Sequence, residues 1–189
     1  MALSASLLAA CGGGGGDAAA STTEPATSPA PAQAASAPDS TAATCGLPNF
    51  NADALAKINA FRSMPRTCGT KGRFPAVPAL RWNSQLQQSA TGHSRDMAAN
   101  NYFSHTGLDG LGVDKRVEAA GYAWRAVGEN IAAQPATVAE VMAGWQASDG
   151  HCANLMNPDF TEVGLACVPG TATSRYATYW TMNLGRPAD

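Results

Sequence analysis

The sequence predicts an α+β domain in which helices cover an antiparallel sheet. Three observations predict it: apolar residues at helical spacing dominate the middle of the chain, β-rich runs close it at 162–168 and 175–184, and about 145 residues from 45 onward are available for one core. The segment 52–62 places Leu55, Ile58 and Phe61 on one face of a first helix. Pro65, Pro75 and Pro78 with Gly69 and Gly72 make 63–80 a loop stapled by Cys68. Asn83 is placed to cap a second helix running to about Asn100, with Leu86, Ala90, His93 and Met97 on one face. The loop NYFSHTGLDG follows, then a short helix near 113–120 and a strand that includes Asn130 and Ile131. Thr137 and Glu140 have capping-box spacing and open a helix with Val138, Val141, Met142 and Trp145 inward. Pro169-Gly170 forms the turn between the two closing strands, and no internal repeat is present.

The N-terminal quarter has a different character. Residues 12–44 contain no Val, Leu, Ile, Met or aromatic, so they have too little to bury to offset their ordering entropy and read as a disordered tether. A random coil of this length reaches about 30 Å on average. Before it, residues 1–11 (MALSASLLAAC) form a short apolar run ending at Cys11. The run resembles the lipobox of bacterial lipoproteins, which implies cleavage before Cys11 and lipidation of that residue. A lipid there anchors a chain without a transmembrane helix. The positively charged segment that usually precedes such a run is missing, so the true start is expected upstream or the chain is truncated. Gly12 stands where an Asp would retain a lipoprotein in the inner membrane, which directs the anchor to the outer membrane if the cell is Gram-negative.

Cysteine usage fits export. With Cys11 set aside, Cys45, Cys68, Cys152 and Cys167 remain, enough for two disulfides with three formal pairings. The two local closures, Cys45–Cys68 and Cys152–Cys167, are the expected ones. A zinc site built on cysteine is disfavoured because no C-x-x-C pair occurs. The balance of 12 basic and 14 acidic residues gives a net charge of −2, which argues against nucleic acid as a partner. No stretch approaches the ~20 apolar residues needed to span a bilayer.

Three histidines are candidates for chemistry. His93 lies on the apolar face of its helix and reads as a packed core imidazole. His105 sits in a Gly- and Asp-containing loop where helical packing is unavailable, and His151 precedes Cys152, which would pin it through a disulfide. Trp145 and Trp180 read as core, Asn130 as a bonder of backbone near the site, Tyr102 and Phe103 as hydrophobic plugs in preference to the rim of a ligand groove, and Asp109-Gly110 as a turn. No G-x-S-x-G elbow, H-E-x-x-H pair or P-loop occurs, so generic motifs leave function open.

Six ordered blocks narrow it. YFSHTG around His105, GENIA at 128–132, WQASDGH at 145–151, NLMNP at 154–158, Val163-Gly164 and YWTMN at 179–183 together resemble the CAP superfamily (cysteine-rich secretory proteins, antigen 5 and plant pathogenesis-related proteins). The bacterial SCP-like extracellular subgroup is the nearest, and the likeness runs from about 52 to 186. It implies a three-layer α-β-α sandwich with a central antiparallel sheet, and a cleft lined by His105, Glu129, Ser148 and His151. Many eukaryotic members carry Glu where Ser148 stands, so this cleft has one negative charge fewer and should hold a cation more weakly. Some relatives bind zinc or another divalent cation through the two histidines, here His105 and His151. Two protein ligands are fewer than the three usual for catalytic zinc, which implies weak, exchangeable binding and a metal that is not required.

The resemblance favours a non-enzymatic module at the cell envelope, taking a lipid- or sterol-like ligand or an envelope component, and expected to be a monomer. The alternative is a hydrolase, peptidase-like, with Glu129 as base for a metal-bound water, or with Ser148 as nucleophile and His151 as base. A structural envelope protein with a vestigial cleft is the third reading.

Overall fold

The structure is a computed structural model that describes residues 40–189; the signal, Cys11 and most of the tether lie outside the described residues. A 3₁₀ turn at Ser40–Ala43 leads into helix α1 (Phe50–Arg62), a short hairpin of β1 (Arg66–Thr67) and β2 (Arg73–Phe74), and strand β3 (Arg81–Trp82). Helices α2 (Ser84–Asn100) and α3 (Val113–Ala119) follow, then strand β4 (Trp124–Ala133). Helices α4 (Val138–Ala147) and α5 (Asp149–Leu155) precede the closing strands β5 (Glu162–Pro169) and β6 (Thr178–Pro187). No helix among the described residues is long and apolar enough to cross a membrane.

Both expected caps form. Asn83 Oδ1 accepts from the backbone N–H groups of Gln85 and Leu86, and Thr137 Oγ1 accepts from that of Glu140. The Glu140 carboxylate reaches back one residue further than a capping box requires, to the N–H of Ala136.

The main sheet has the order β3-β5-β6-β4, with β5·β6 and β6·β4 antiparallel and only the two-residue β3 parallel to β5. Alternation along β6 assigns the two layers. Trp180, Met182 and Leu184 point into a core shared with Ile58 and Phe61 of α1, Val141 and Trp145 of α4, and Leu155 of α5. The intervening residues face α2: Tyr179 packs with Met97, and Thr181 Oγ1 accepts from Ser94 Oγ at 2.8 Å. The result is three layers, α1/α4/α5 on one face and α2/α3 on the other. Because both faces of β6 are covered, the strand is buried from Tyr179 to Gly185.

Gly164 explains how closely α2 lies on β5. A Cβ at Gly164 would stand 2.1 Å from the backbone nitrogen of Gln87, so any side chain there would push the helix off the strand. The core readings of Trp145 and Trp180 hold: both are at most 1% exposed, and their indole N–H groups donate to Ile131 O and Pro135 O.

The disulfides correct the sequence reading. Cys45 pairs with Cys167 and Cys68 with Cys152, in place of the local closures Cys45–Cys68 and Cys152–Cys167. Helix α1 stands between Cys45 and Cys68; its 13 residues carry the chain about 20 Å. Cys45 instead docks beside β5 through a parallel bridge of Thr44 with Cys167 and a bond from Cys45 N–H to Cys167 O. Cys68 is left to reach α5. Closing either loop from the open chain, with separations of 122 and 84, contributes about 4–5 kcal/mol in the chain-closure model, and the nested pair together contributes less than the sum. Such bonds belong to oxidising compartments.

The loop expected at 63–80 contains the β1–β2 hairpin, and the helix opened at Thr137 ends at Ala147, with a second helix starting at Asp149 after the break at Ser148.

Candidate functional site

The site gathers at the open edge of the sheet, where β4 is the outermost strand. Glu129 projects from β4 toward α2 and α3, its side chain only 2% exposed. His105 comes from the loop after α2, and its Nδ1–H donates to Glu129 Oε1 at 2.8 Å. That bond fixes the neutral ring as the Nδ1–H tautomer, leaving the Nε2 lone pair to face outward on a side chain 58% exposed.

The other carboxylate oxygen is also taken. Arg116 of α3 donates from Nη2 to Glu129 Oε2 at 2.6 Å, and from Nη1 to His105 O at 3.1 Å and Leu111 O at 2.7 Å. One guanidinium therefore neutralises Glu129 and holds the backbone of the His105 loop. Asn183, with its amide turned to suit its neighbours, adds a bond to Oε2 at 3.3 Å.

His93 is buried, as expected of a core residue, yet it belongs to this network. Its Nε2–H donates to Ser104 O at 2.9 Å and lies 4.0 Å from Glu129 Oε1. Burial pushes its pKa down, Glu129 pulls it up, and Arg116 pushes it down again.

His151 arrives from the other helical layer, on α5. Asn130 Nδ2 donates to its carbonyl at 3.2 Å, while Asn154 Nδ2 bonds Glu129 O and Asn130 Oδ1. Two asparagines thus stitch α5 to β4, the backbone role expected of Asn130. The His151 pKa is lowered, first by burial and then by the neighbouring His105. Both effects favour the neutral ring that a metal or hydrogen-bond donor needs.

Ser148 caps the α4/α5 junction through its backbone. Its N–H bonds Trp145 O, its carbonyl accepts from Cys152 N, and its side chain makes no cap hydrogen bond. Among the described residues no hydrogen bond joins its hydroxyl to His151, and no group of three or more His, Cys, Asp or Glu could hold a metal ion.

Around this centre, Asp109 and Gly110 form the expected turn: Asp109 Oδ1 accepts from Leu111 N–H and Gly110 has φ +80°. Tyr102 is half-buried with its hydroxyl on Asp96, as a plug should be. Phe103 departs from that expectation, being 43% exposed and edge-on to Tyr176 at 6.0 Å. Arg116 had no sequence signal beyond a basic residue on a short helix, and His93 was masked by its apolar face.

The profile of the cysteine-rich secretory protein family (CAP) matches residues 55–184. An uncharacterized protein of Bacillus subtilis, YkwD, is 31% identical over 127 residues, covering 67% of this chain and 49% of its own length. An extracellular protein containing an SCP domain from Bacillus anthracis is 35% identical with a TM-score of 0.51, over 58% of this chain and 34% of that one. An outer surface protein of Borrelia burgdorferi shares the fold at 19% identity and TM-score 0.53, over 59% of this chain and 80% of that one. The chain spans about half the length of its Bacillus subtilis relative and about a third of the Bacillus anthracis protein.

Proposed function

Because the chain belongs to the cysteine-rich secretory protein (CAP) family, we propose that it is an extracytoplasmic binding module. A lipid on Cys11 holds it to the cell envelope, and the His105/His151 cleft takes a ligand or a weakly bound divalent cation. One observation carries the choice of a binder over a hydrolase: Glu129 is buried and most of its acceptor sites are taken. Both of its oxygens accept from His105, Arg116 and Asn183, and its side chain is 2% exposed. A general base needs a lone pair within reach of a water; three of this carboxylate's roughly four acceptor sites are taken, and its burial screens the last from solvent. The serine variant has equally little support, since no hydrogen bond links Ser148 to His151 and the catalytic pairing of nucleophile and base is missing.

Zinc would bind as a two-ligand guest held by His105 and His151, with Glu129 orienting the first ring through its hydrogen bond to Nδ1. Bound there, it would supply a Lewis-acidic centre for a ligand carboxylate or phosphate. The expected result is micromolar or weaker zinc binding by calorimetry at pH 7.5, abolished in His105→Ala/His151→Ala. Binding should fade below about pH 6.5, where imidazoles take up protons. The depressed His151 pKa carries part of the affinity below that point. A wild-type chain that binds no zinc would remove the cation from the reading.

Export is supported by the two disulfides and by the Bacillus anthracis relative, described as extracellular. Metabolic labelling with a fatty acid in a bacterial host tests the anchor: label should enter the wild type and be lost in Cys11→Ala. Label that persists in the variant would refute lipidation at Cys11.

A further inference from the structure

We propose that the β1–β2 hairpin is a clip that positions His151, so that the cleft is complete only while this hairpin is fastened to the first turn of α5. The inference deepens the cleft reading above and takes its functional consequence from it.

The hairpin is fastened twice. Cys68, at its bend, is bonded to Cys152, the residue after His151. Thr70, two residues on, donates from both its backbone N–H and its hydroxyl to Asp149 Oδ2, at 2.8 and 2.6 Å. Asp149 lies two residues before His151, so the two fastenings bracket the imidazole-bearing position.

Gly69 makes the approach possible. It has φ +49°, and a Cβ there would stand 1.9 Å from Asp149 Oδ1. The bend is thus shaped around the carboxylate it grips. The grip is strong enough to hold the Asp149 carboxyl below its usual range, through the Thr70 hydroxyl first and its N–H second.

The other supports of α5 act elsewhere. Arg62 Nη1 bonds Leu155 O at its far end, and Asn154 joins it to β4. On the first turn, Asn130 supplies one bond to the His151 carbonyl, at 3.2 Å. A seven-residue helix has little stability of its own, so its first turn depends on these tertiary contacts. The Trp145 ring lies 6.5 Å from the His151 ring, and the hairpin adds the disulfide and the two bonds from Thr70.

His105 provides an internal control, because its anchors are Glu129 and Arg116 and none lies on the hairpin. The test is the rate of diethyl pyrocarbonate modification of each histidine at pH 7.5, read by peptide mass spectrometry on the full chain. Cys68→Ala/Cys152→Ala is expected to speed His151 modification about fivefold or more and leave His105 unchanged. Thr70→Ala should act in the same direction with a smaller factor, and Thr70→Ser should restore the wild-type rate by replacing the hydroxyl donor.

An unchanged His151 rate in a folded variant would overturn the proposal, as would equal acceleration of both histidines. If the double cysteine variant fails to fold, the Thr70 pair decides by the same criteria. The readout is modification and not metal uptake, so a chain that binds no zinc still decides the clip.

Discussion

Replacing Glu129 by alanine is expected to destabilise the domain by about 3–5 kcal/mol and to release His105 in the same stroke. The cost arises because the partner left behind, Arg116, has a side chain only 12% exposed. Its charge would be stranded with two backbone carbonyls in place of a carboxylate. His93, 4.0 Å from the same oxygen, would lose the neighbour that offsets its burial. Urea unfolding would measure the loss, and imidazole nitrogen shifts would show His105 leaving the Nδ1–H tautomer. A loss below about 1 kcal/mol would mean that Glu129 is not the hub described above. Glu129→Gln keeps one acceptor and the shape, so its cost should be smaller.

Arg62→Met is the second large effect, also about 3–5 kcal/mol. Arg62 has no exposed surface, and burial pushes its guanidinium pKa down to about 10, so it remains charged at neutral pH. Among the described residues no carboxylate pairs with it. Its nitrogens instead donate to four carbonyls: Pro78, Leu155, Asn157 and Phe160. Methionine fills the stem volume but supplies no donor, and each buried carbonyl left unpaired costs about 1–3 kcal/mol before water returns. Relief of the desolvated charge offsets part of that sum. Arg62→Lys should also fail to restore stability, because an ammonium cannot span four acceptors as a planar fork does. Thermal denaturation distinguishes the cases; a stable Arg62→Met protein would show that the charge costs as much as its bonds return.

The sequence made local order readable wherever one residue carries its own signal. Asn83 and Thr137 are caps because their short side chains reach N–H groups two or three residues on, and Leu55, Ile58 and Phe61 mark a helix by spacing alone. Long-range choices had no such signal. Cys45 and Cys68 look like natural partners along the chain, but Cys45 docks on β5 beside Cys167 while α1 carries the chain away toward Cys152. His93 fits an apolar stripe, so its bond to Ser104 is invisible until the loop folds back over α2. The six ordered blocks pointed to His105, Glu129, Ser148 and His151, whereas Arg116, which ties the first two together, lies outside every block. Gly164 sits in one of those blocks, and the close approach of α2 supplies the physical reason for it.

The nested disulfides also determine where mechanical load can travel. Cys45–Cys167 encloses Cys68–Cys152, so tension between an N-terminal attachment and the C-terminus enters at Cys45 and leaves at Cys167. The chain from 46 to 166 is bypassed, including His105, Glu129 and His151. On that side the residues after Cys167, β6 among them, lie in series with the pull. Force therefore meets the cleft by a single route, the peeling of β6, which carries Asn183 away from Glu129.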